Sequence, residues 1–420
     1  MRATSLSSER HLAATTKPRL LDGLARKGLL RKLEYIEHGR LTLVDGGERF
    51  SFGPGESTGP SAQITVRDPG FYADVAFGGS IGSGEAYMQG SWQTDDLVAL
   101  TRLLLQNRHV LEGMEGGTAR LATPLQRLYH WSNRNSRRGA RRNIAAHYDL
   151  GNDFFALWLD PTMMYSSAIF RHSGMSLHEA QLYRLEHICK RLELGADDHV
   201  IEIGTGWGGF ALHAARNHGC RVTTTTISRE QYRKAQERVR QAGLEDRITV
   251  VMEDFRDLEG QYDKLVSIEM IEAIGHELFE AYFRKCSDLL KPGGAMLVQA
   301  ITIADQRYER YRRSVDFIQR YIFPGGALPS SAVMADTVAE HTDMRLLGLE
   351  DIGLHYATTL NHWRQSFMAQ LDEVSRLGYP ESFIRMWEFY LATCEGAFLE
   401  RAVSDVQMLF SKPECRLKTI

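Results

Sequence analysis

Cysteine is scarce in this 420-residue chain: Cys189, Cys220, Cys286, Cys394 and Cys415 are odd in number and never spaced as C-x-x-C. Neither a disulfide framework nor a zinc site is indicated, and no metal is expected. Long apolar runs are missing as well. No window approaches eighteen uninterrupted apolar residues, and the first strongly apolar segment is short, so neither a membrane span nor a signal peptide is expected. The sequence therefore points to the cytoplasm. Charge of one sign is also lacking, since 50 Lys and Arg against 53 Asp and Glu leave a net −3, which argues against bulk attraction to nucleic acid. What remains is a chain with 43% hydrophobic residues, enough for a real core, and a length that suggests two or three domains.

The most informative stretch is His199-Val-Ile-Glu-Ile-Gly-Thr-Gly-Trp-Gly-Gly-Phe210, an apolar run closing on Glu202 and followed by alternating glycines. It reads as a strand, a tight turn and a helix start. Gly204, Gly206 and Gly208 can adopt positive φ and present no Cβ where a ligand must touch the main chain. Gly204, Gly206 and Gly209 also satisfy G-x-G-x-x-G, so the glycines alone do not separate a dinucleotide from S-adenosylmethionine. The flanks do. A dinucleotide site wants an acid at the end of the second strand, whereas the strand from Arg221 ends Thr225-Thr226-Ile227-Ser228. The third strand, Arg247 to Met252, runs instead into Glu253-Asp254-Phe255, a carboxylate and a ring suited to an adenine amino group and face. That order favours S-adenosylmethionine.

Residues 1 to 17 are polar and without periodicity and read as a disordered tail. Residues 18 to 121 mix an amphipathic helix, Leu20 to Leu33, with short alternating runs such as Leu41–Val44 and Ala62–Val66, and suggest a small α+β domain. Within it the glycine-dense stretch Gly78 to Trp92 reads as a structural loop, because no Lys follows the glycines as a phosphate-binding loop requires. Residues 122 to 142 form a basic linker: Arg127, Arg134, Arg137, Arg138, Arg141 and Arg142 fall in a segment without any acid. Such a cluster is suited to anionic lipid headgroups, at about 1 kcal/mol per cation near a membrane surface.

From 143 to 420 strand and helix patterns alternate, with strands at 199–203, 221–227, 247–252, 264–268 and 295–302 and helices at 208–218, 229–242 and 277–290. The expected fold class is α/β, a doubly wound Rossmann-like sheet. Ligands in such sheets sit beyond the carboxyl ends of the strands at the switch in strand order. Glu269 and Glu272 stand at that edge, three residues apart at a strand-to-helix junction, and face one cleft in this reading. Tyr311, Val315, Ile318 and Ile322 recur at helical spacing and suit either a core face or, with Tyr308, Phe317 and Tyr321, the wall of a tunnel. Helices at about 361–378 and 381–400 close the site.

Five linked stretches carry a resemblance: His147-Tyr-Asp-Leu-Gly-Asn-Asp-Phe-Phe155, Tyr165-Ser-Ser-Ala168, the glycine turn, Thr226-Ile-Ser228 with Gln231, and Tyr321-Ile-Phe-Pro-Gly-Gly326. In this order they resemble the cyclopropane-fatty-acyl-phospholipid synthase family over about 125 to 411, and Gly84-Glu-Ala-Tyr-Met-Gln-Gly-Ser-Trp92 extends the likeness toward the N-terminus. The resemblance implies a class I methyltransferase that passes the methyl group of S-adenosylmethionine to a cis double bond of a phospholipid acyl chain. The resulting carbocation loses a proton and closes a cyclopropane. It also implies a homodimer working on unsaturated phospholipid at the inner membrane surface, as a peripheral protein. Loss of a different proton leads instead to a methylene-branched, and after reduction a methyl-branched, chain. A small-molecule N-methyltransferase and a lipid-binding module with a vestigial pocket are the other readings.

Carried onto this sequence, Tyr148, Tyr165 and Ser166 hold the amino-acid end of the cofactor. Glu202, Gly204 and Gly206 border it, Thr226, Ser228 and Gln231 take the ribose side, and Asp254 with Phe255 reads adenine. The resemblance further implies a bicarbonate base held by a glutamate, a histidine, a tyrosine and backbone near a cysteine and an isoleucine. The matching glutamate is Glu272, the tyrosine Tyr356 and the isoleucine Ile301. The cysteine position holds Ser167, the histidine position Gln299 and the residue after the glutamate Ala273. Glu269 stands where bacterial members often have glycine, and these joint changes suggest that its carboxylate replaces bicarbonate or helps to position it.

Overall fold

Leu41, Leu43, Ile64 and Val66 alternate into one buried face, and this period of two builds the N-terminal unit. The computed structural model describes residues 20–110 and 151–418; the expected tail, the basic linker and Tyr148 lie outside the described residues. Helix α1 (Leu20–Leu33) precedes β1 (Gly39–Asp45), β2 (Glu48–Gly55), β3 (Ser61–Val66), α2 (Gly70–Met88), β4 (Trp92–Thr94) and α3 (Leu97–Gln106). The sheet order is β2-β1-β3-β4. Gly46 and Gly47, at φ 55° and 94°, provide the two positive-φ positions that a two-residue hairpin turn demands.

The glycine-dense stretch is not a loop. It is the second half of α2, broken at Gly79 with φ 58° and ψ −136°. Its glycines serve close packing: a Cβ on Gly82 would meet the Asp74 carbonyl oxygen at 2.0 Å, and one on Gly84 the Phe317 ring at 2.4 Å. Packing here overrides the weak helix propensity of glycine.

The second unit contains α4 (Asn152–Ala156), α5 (Leu177–Arg191), β5 (His199–Ile203), α6 (Gly209–His218), β6 (Arg221–Thr225), α7 (Arg229–Gln241), β7 (Ile248–Val251) and β8 (Tyr262–Ile268). It continues with α8 (Phe279–Leu289), β9 (Leu290–Ile303), α9 (Asp305–Tyr311), α10 (Phe317–Tyr321), α11 (Ser331–His341), β10 (Arg345–Asp351), α12 (Gly353–Ala369), α13 (Leu371–Arg376), α14 (Glu381–Leu399) and β11 (Val403–Ser411). The seven strands run β10-β11-β9-β8-β5-β6-β7. Strands β5 to β9 are parallel, and β11 is antiparallel to both of its neighbours. The chain moves outward from β5 through β6 to β7, then returns to β8 on the other side, so the switch point lies between β5 and β8.

The sequence pattern did not indicate β10 and β11. Strand β11 is inserted with Asp405 and Gln407 fully buried, and these polar residues interrupt the apolar run that marks a buried strand. The stripe from Tyr311 to Ile322 is also not one helix. It breaks between α9 and α10, where Asp316 and Gln319 form a reciprocal cap that starts α10.

The two units are docked through α14. Arg385 donates to the carbonyls of Tyr87 at 2.6 Å and Trp92 at 3.1 Å and stacks 4.2 Å above the Tyr87 ring. Arg102 pairs with Glu400 at 2.7 Å.

Candidate active site

The turn after β5 takes the conformation that its glycines permit, with φ of 101° at Gly204, 51° at Gly206 and 83° at Gly208. The Gly204 and Thr205 amides donate to the Thr225 carbonyl at 3.1 and 2.9 Å, pinning the turn against β6. A Cβ on Gly206 would meet nothing within 4 Å, whereas one on Gly209 would meet Met164 Sδ at 2.4 Å. The first glycine thus leaves open space on the ligand side, and the second allows helix and loop to touch.

Glu202 does not face this space. Its carboxyl accepts from Thr224 Oγ1 at 2.5 Å, and Thr224 in turn pairs with Thr205 at 2.8 Å. Burial pushes it up to about 8, against the pull of Thr224 and Arg184, so it is a neutral strut beneath the turn. Ser228 likewise caps α7 by accepting from the Gln231 amide at 3.3 Å, while Thr226 and Gln231 line the cavity and bond to each other at 2.9 Å. Asp254 and Phe255 both line it too. The Asp254 carboxylate is gripped by Arg256, with contacts of 2.8 and 2.6 Å.

From this crevice one cavity of about 660 Å³ runs past Tyr165, Glu269, Glu272, Ile301 and Tyr356 to Tyr311, Phe317, Ile318 and Phe323, and on to Leu41, Leu43, Ile64 and Leu100 beside the N-terminal sheet. Gly79, Ser80 and Ser83 of α2 form part of that wall. Tyr308, Val315, Tyr321 and Ile322 are not among the lining residues. Tyr321 donates to Glu85 instead. Arg312 and Arg313 pair with Glu309 at 3.1 and 2.9 Å.

At the junction of crevice and channel sits a buried group of carboxyls. Glu269 follows β8 with φ 48°, a left-handed conformation that costs a residue with a side chain roughly 1–2 kcal/mol. Its Oε1 accepts from the Ser167 amide at 2.8 Å and from Gln299 Nε2 at 2.8 Å, and its Oε2 from the Tyr356 hydroxyl at 2.7 Å. Ser167 thus contributes backbone, and its hydroxyl turns to the Ala168 carbonyl at 3.0 Å. Gln299 also donates to Asp405 Oδ2 at 2.9 Å.

Burial raises both Glu269 and Asp405, and Asp405 is pushed further by the charge of Glu269. The pair holds its proton on Asp405, because Glu269 receives the convergent donors. Glu272 accepts from the Ile301 amide through Oε1, while its buried Oε2 has no partner. Burial, then the neighbouring Glu269, pushes it up to about 8.

Arg184 is a member of this group that sequence reasoning missed. It is fully buried on α5 and donates to Ser166 Oγ and Gln181 Oε1, both at 2.8 Å; its Nε and Nη1 have no partner. Burial lowers it to about 10, and Glu269 is the largest opposing charge. The available signal was a cation on the apolar face of α5, in register with Ala180, Leu185 and Ile188. Elsewhere Cys189, His213 and His218 bring ligand atoms within 4.8 Å of one another. Glu186 already receives both imidazoles at 3.1 and 3.0 Å, which accounts for their approach without an ion.

A doubly wound seven-stranded sheet with its antiparallel strand next to the edge, an open glycine turn at the switch point and an acid with an aromatic ring after β7 define a class I S-adenosylmethionine-dependent methyltransferase. The family model described as mycolic acid cyclopropane synthetase matches residues 135–408, and the chain belongs to that family. Tuberculostearic acid methyltransferase UfaA1 of Mycobacterium tuberculosis is 40% identical over 327 residues, 76% of each chain. The cyclopropane-fatty-acyl-phospholipid synthase of Escherichia coli K12 is 37% identical over 84% of this chain and 88% of that one. Among solved structures, mycolic acid cyclopropane synthase CmaA1 complexed with SAH and CTAB superposes with a TM-score of 0.61 at 28% identity, covering 65% of this chain and 98% of its own.

Proposed function

We propose that this protein methylates the cis double bond of an unsaturated phospholipid acyl chain and closes it to a cyclopropane. The observation that carries this reading is the single cavity joining the glycine turn to a long apolar channel, with the buried carboxyls at their junction. An alkene is a weak nucleophile, so its reaction needs a dry, oriented site. S-adenosylmethionine, when bound, supplies an electrophilic methyl group. The Gly204 and Gly206 backbone, Thr226, Gln231, Asp254 and Phe255 are placed to hold it.

The chain's other residues manage the cation formed on the acyl chain. Tyr165, Phe323, Tyr356 and Tyr390 line this part of the cavity, and a ring face beside a desolvated cation contributes up to about 2 kcal/mol. Tyr165 and Tyr390 are fixed to each other through their hydroxyls at 2.9 Å. Glu272 and Asp405, kept neutral, add no charge that would trap the cation. No helix among the described residues is long and apolar enough to cross a membrane, so the enzyme in this reading meets its lipid from the membrane surface.

A methylene- or methyl-branched product is the second reading, favoured by the name of the 40% identical relative, tuberculostearic acid methyltransferase. The two share the methyl-transfer step and then diverge. Proton loss from the new methyl group with ring closure gives the cyclopropane. A 1,2-hydride shift that puts the cation on the methyl-bearing carbon, followed by proton loss, gives the methylene branch, which a separate hydride donor would have to reduce to a methyl branch. Incubation with S-adenosylmethionine and vesicles of cis-monounsaturated phospholipid, followed by proton NMR of the acyl chains, decides: ring protons support cyclopropanation and vinylidene protons the branched product. Unchanged lipid would overturn both.

A further inference from the structure

We infer that Glu269 is a built-in proton acceptor, a carboxylate anchored in the chain that does the work of a diffusible anion such as bicarbonate. This rests on the proposed alkene chemistry. Three donors from separate parts of the chain converge on it: the Ser167 amide before α5, the Gln299 amide on β9 and the Tyr356 hydroxyl on α12. These are the donors that a free anion at this edge of the cavity would need, and they are already engaged. Strained backbone at Glu269, φ 48°, brings the carboxylate to the cavity wall; such strain is tolerated where the surroundings over-determine it.

Charge balance leads to the same place. The charged and titratable groups facing Glu269 are Arg184, Asp405, Glu272 and Tyr356. Tyr356 is raised well above the usual tyrosine range by burial, and Glu272 and Asp405 are held neutral. One cation, Arg184, therefore faces one anion, Glu269. A second anion in this dry pocket would have no counter-charge.

In the step itself a C–H bond of the newly transferred methyl group, which sits on the carbon beside the cationic one, breaks. Its electron pair forms the new bond from the methyl carbon to the cationic carbon that closes the ring. The proton passes to Glu269, leaving a neutral lipid and a neutral carboxyl that returns its proton to water when the product departs.

The test uses the purified full-length protein, S-adenosylmethionine and monounsaturated phospholipid vesicles, in buffer stripped of carbon dioxide and again with added bicarbonate. The native enzyme is expected to turn over within about twofold in both buffers, and Glu269→Gln to lose on the order of 10²–10⁴-fold in kcat while still binding S-adenosylhomocysteine. Glu269→Gly, which frees the donors, is expected to regain part of its activity only with added bicarbonate.

A native enzyme that needs bicarbonate, or a Glu269→Gln enzyme with normal turnover, would overturn the inference. If the Gln variant fails to fold, Tyr356→Phe decides. Loss of one donor should move the acidic limb of the kcat profile toward higher pH, and an unmoved limb counts against Glu269. Failure of the functional reading looks different, as no lipid is altered by the native enzyme in either buffer.

Discussion

Replacing Glu202 by Gln isolates the cost of burying a carboxyl inside the sheet. Burial raises this group from 4.5 to about 8, so between those values the native state holds a proton that the unfolded chain has released. The associated stability is fully present below about 4.5 and is lost as pH rises through 8, at up to ~1.4 kcal/mol per pH unit and roughly 5 kcal/mol in all. Glutamine copies the neutral acid: its carbonyl can accept the Thr224 hydroxyl now held at 2.5 Å, so the variant should match the native protein near pH 5. Melting temperatures measured from pH 5 to 8.5 should then diverge, with Glu202→Gln ahead by a margin that grows to on the order of 10 °C, at about 2–4 °C per kcal/mol for a domain of this class. Glu272, raised by burial to the same region, leaves a residual slope in both proteins, and the difference between them removes it. Two curves that run parallel across this range would refute the assignment of Glu202 as a neutral strut.

Gly206→Val places a branched side chain at φ 51° in the space left for the ligand. It should weaken S-adenosylhomocysteine binding by more than tenfold in calorimetry while the circular dichroism spectrum is unchanged. Gly84→Ala forces a methyl group to within 2.4 Å of the Phe317 ring and should destabilise the protein by about 1–3 kcal/mol, read by chemical denaturation. Ser83→Phe introduces a ring into the channel wall. In competition between short and long monounsaturated acyl chains, the long chains should lose turnover the more steeply, and an unchanged ratio would show that the channel beside α2 does not take the acyl chain.

The parts of the fold legible in the sequence are those whose pattern has a single cause. Strand β5 with its glycine turn, and the helices α6, α7 and α8, could be read because apolar period, caps and breakers agree with one another. Strand β11 could not, since Asp405 and Gln407 are buried polar residues whose partners lie on β9, far away in sequence; Gln407 donates to Gln299 at 3.1 Å. The glycines of α2 were misread because their purpose is contact with Phe317, an element separated from them by more than two hundred residues. In the site, Glu269 and Glu272 were visible from their place at a strand end. Arg184 and Asp405 were not, because they approach from a helix and a strand that carry no motif. Glu202 was visible, but its direction was not: a strand alternates its faces, and only the pairing with Thr224 fixes which side the carboxyl takes.

The buried carboxyl cluster runs against folding stability, and this is the reason to assign it to chemistry. A left-handed Glu269, an Arg184 with two unpartnered nitrogens and three acids raised by burial each oppose folding, and a core of aliphatic residues in their place would avoid every one of these costs. They nevertheless gather at one point, with Glu269 and Glu272 on the wall where the cofactor crevice meets the apolar channel, and the donors to Glu269 come from a loop, a strand and a helix. Local rules broken together at the mouth of a cavity mark the place where structure yields to function. In the proposed step the arrangement is also self-limiting, because Asp405 and Glu272 are kept neutral first by burial and then by the charge on Glu269. Once that carboxylate takes up a proton, Asp405 and Glu272 no longer face an anion, and Arg184 becomes the only charge left facing the site. In the proposed cycle, return of the proton to water restores one anion, Glu269, to balance the one cation, Arg184, and leaves Glu269 able to accept again.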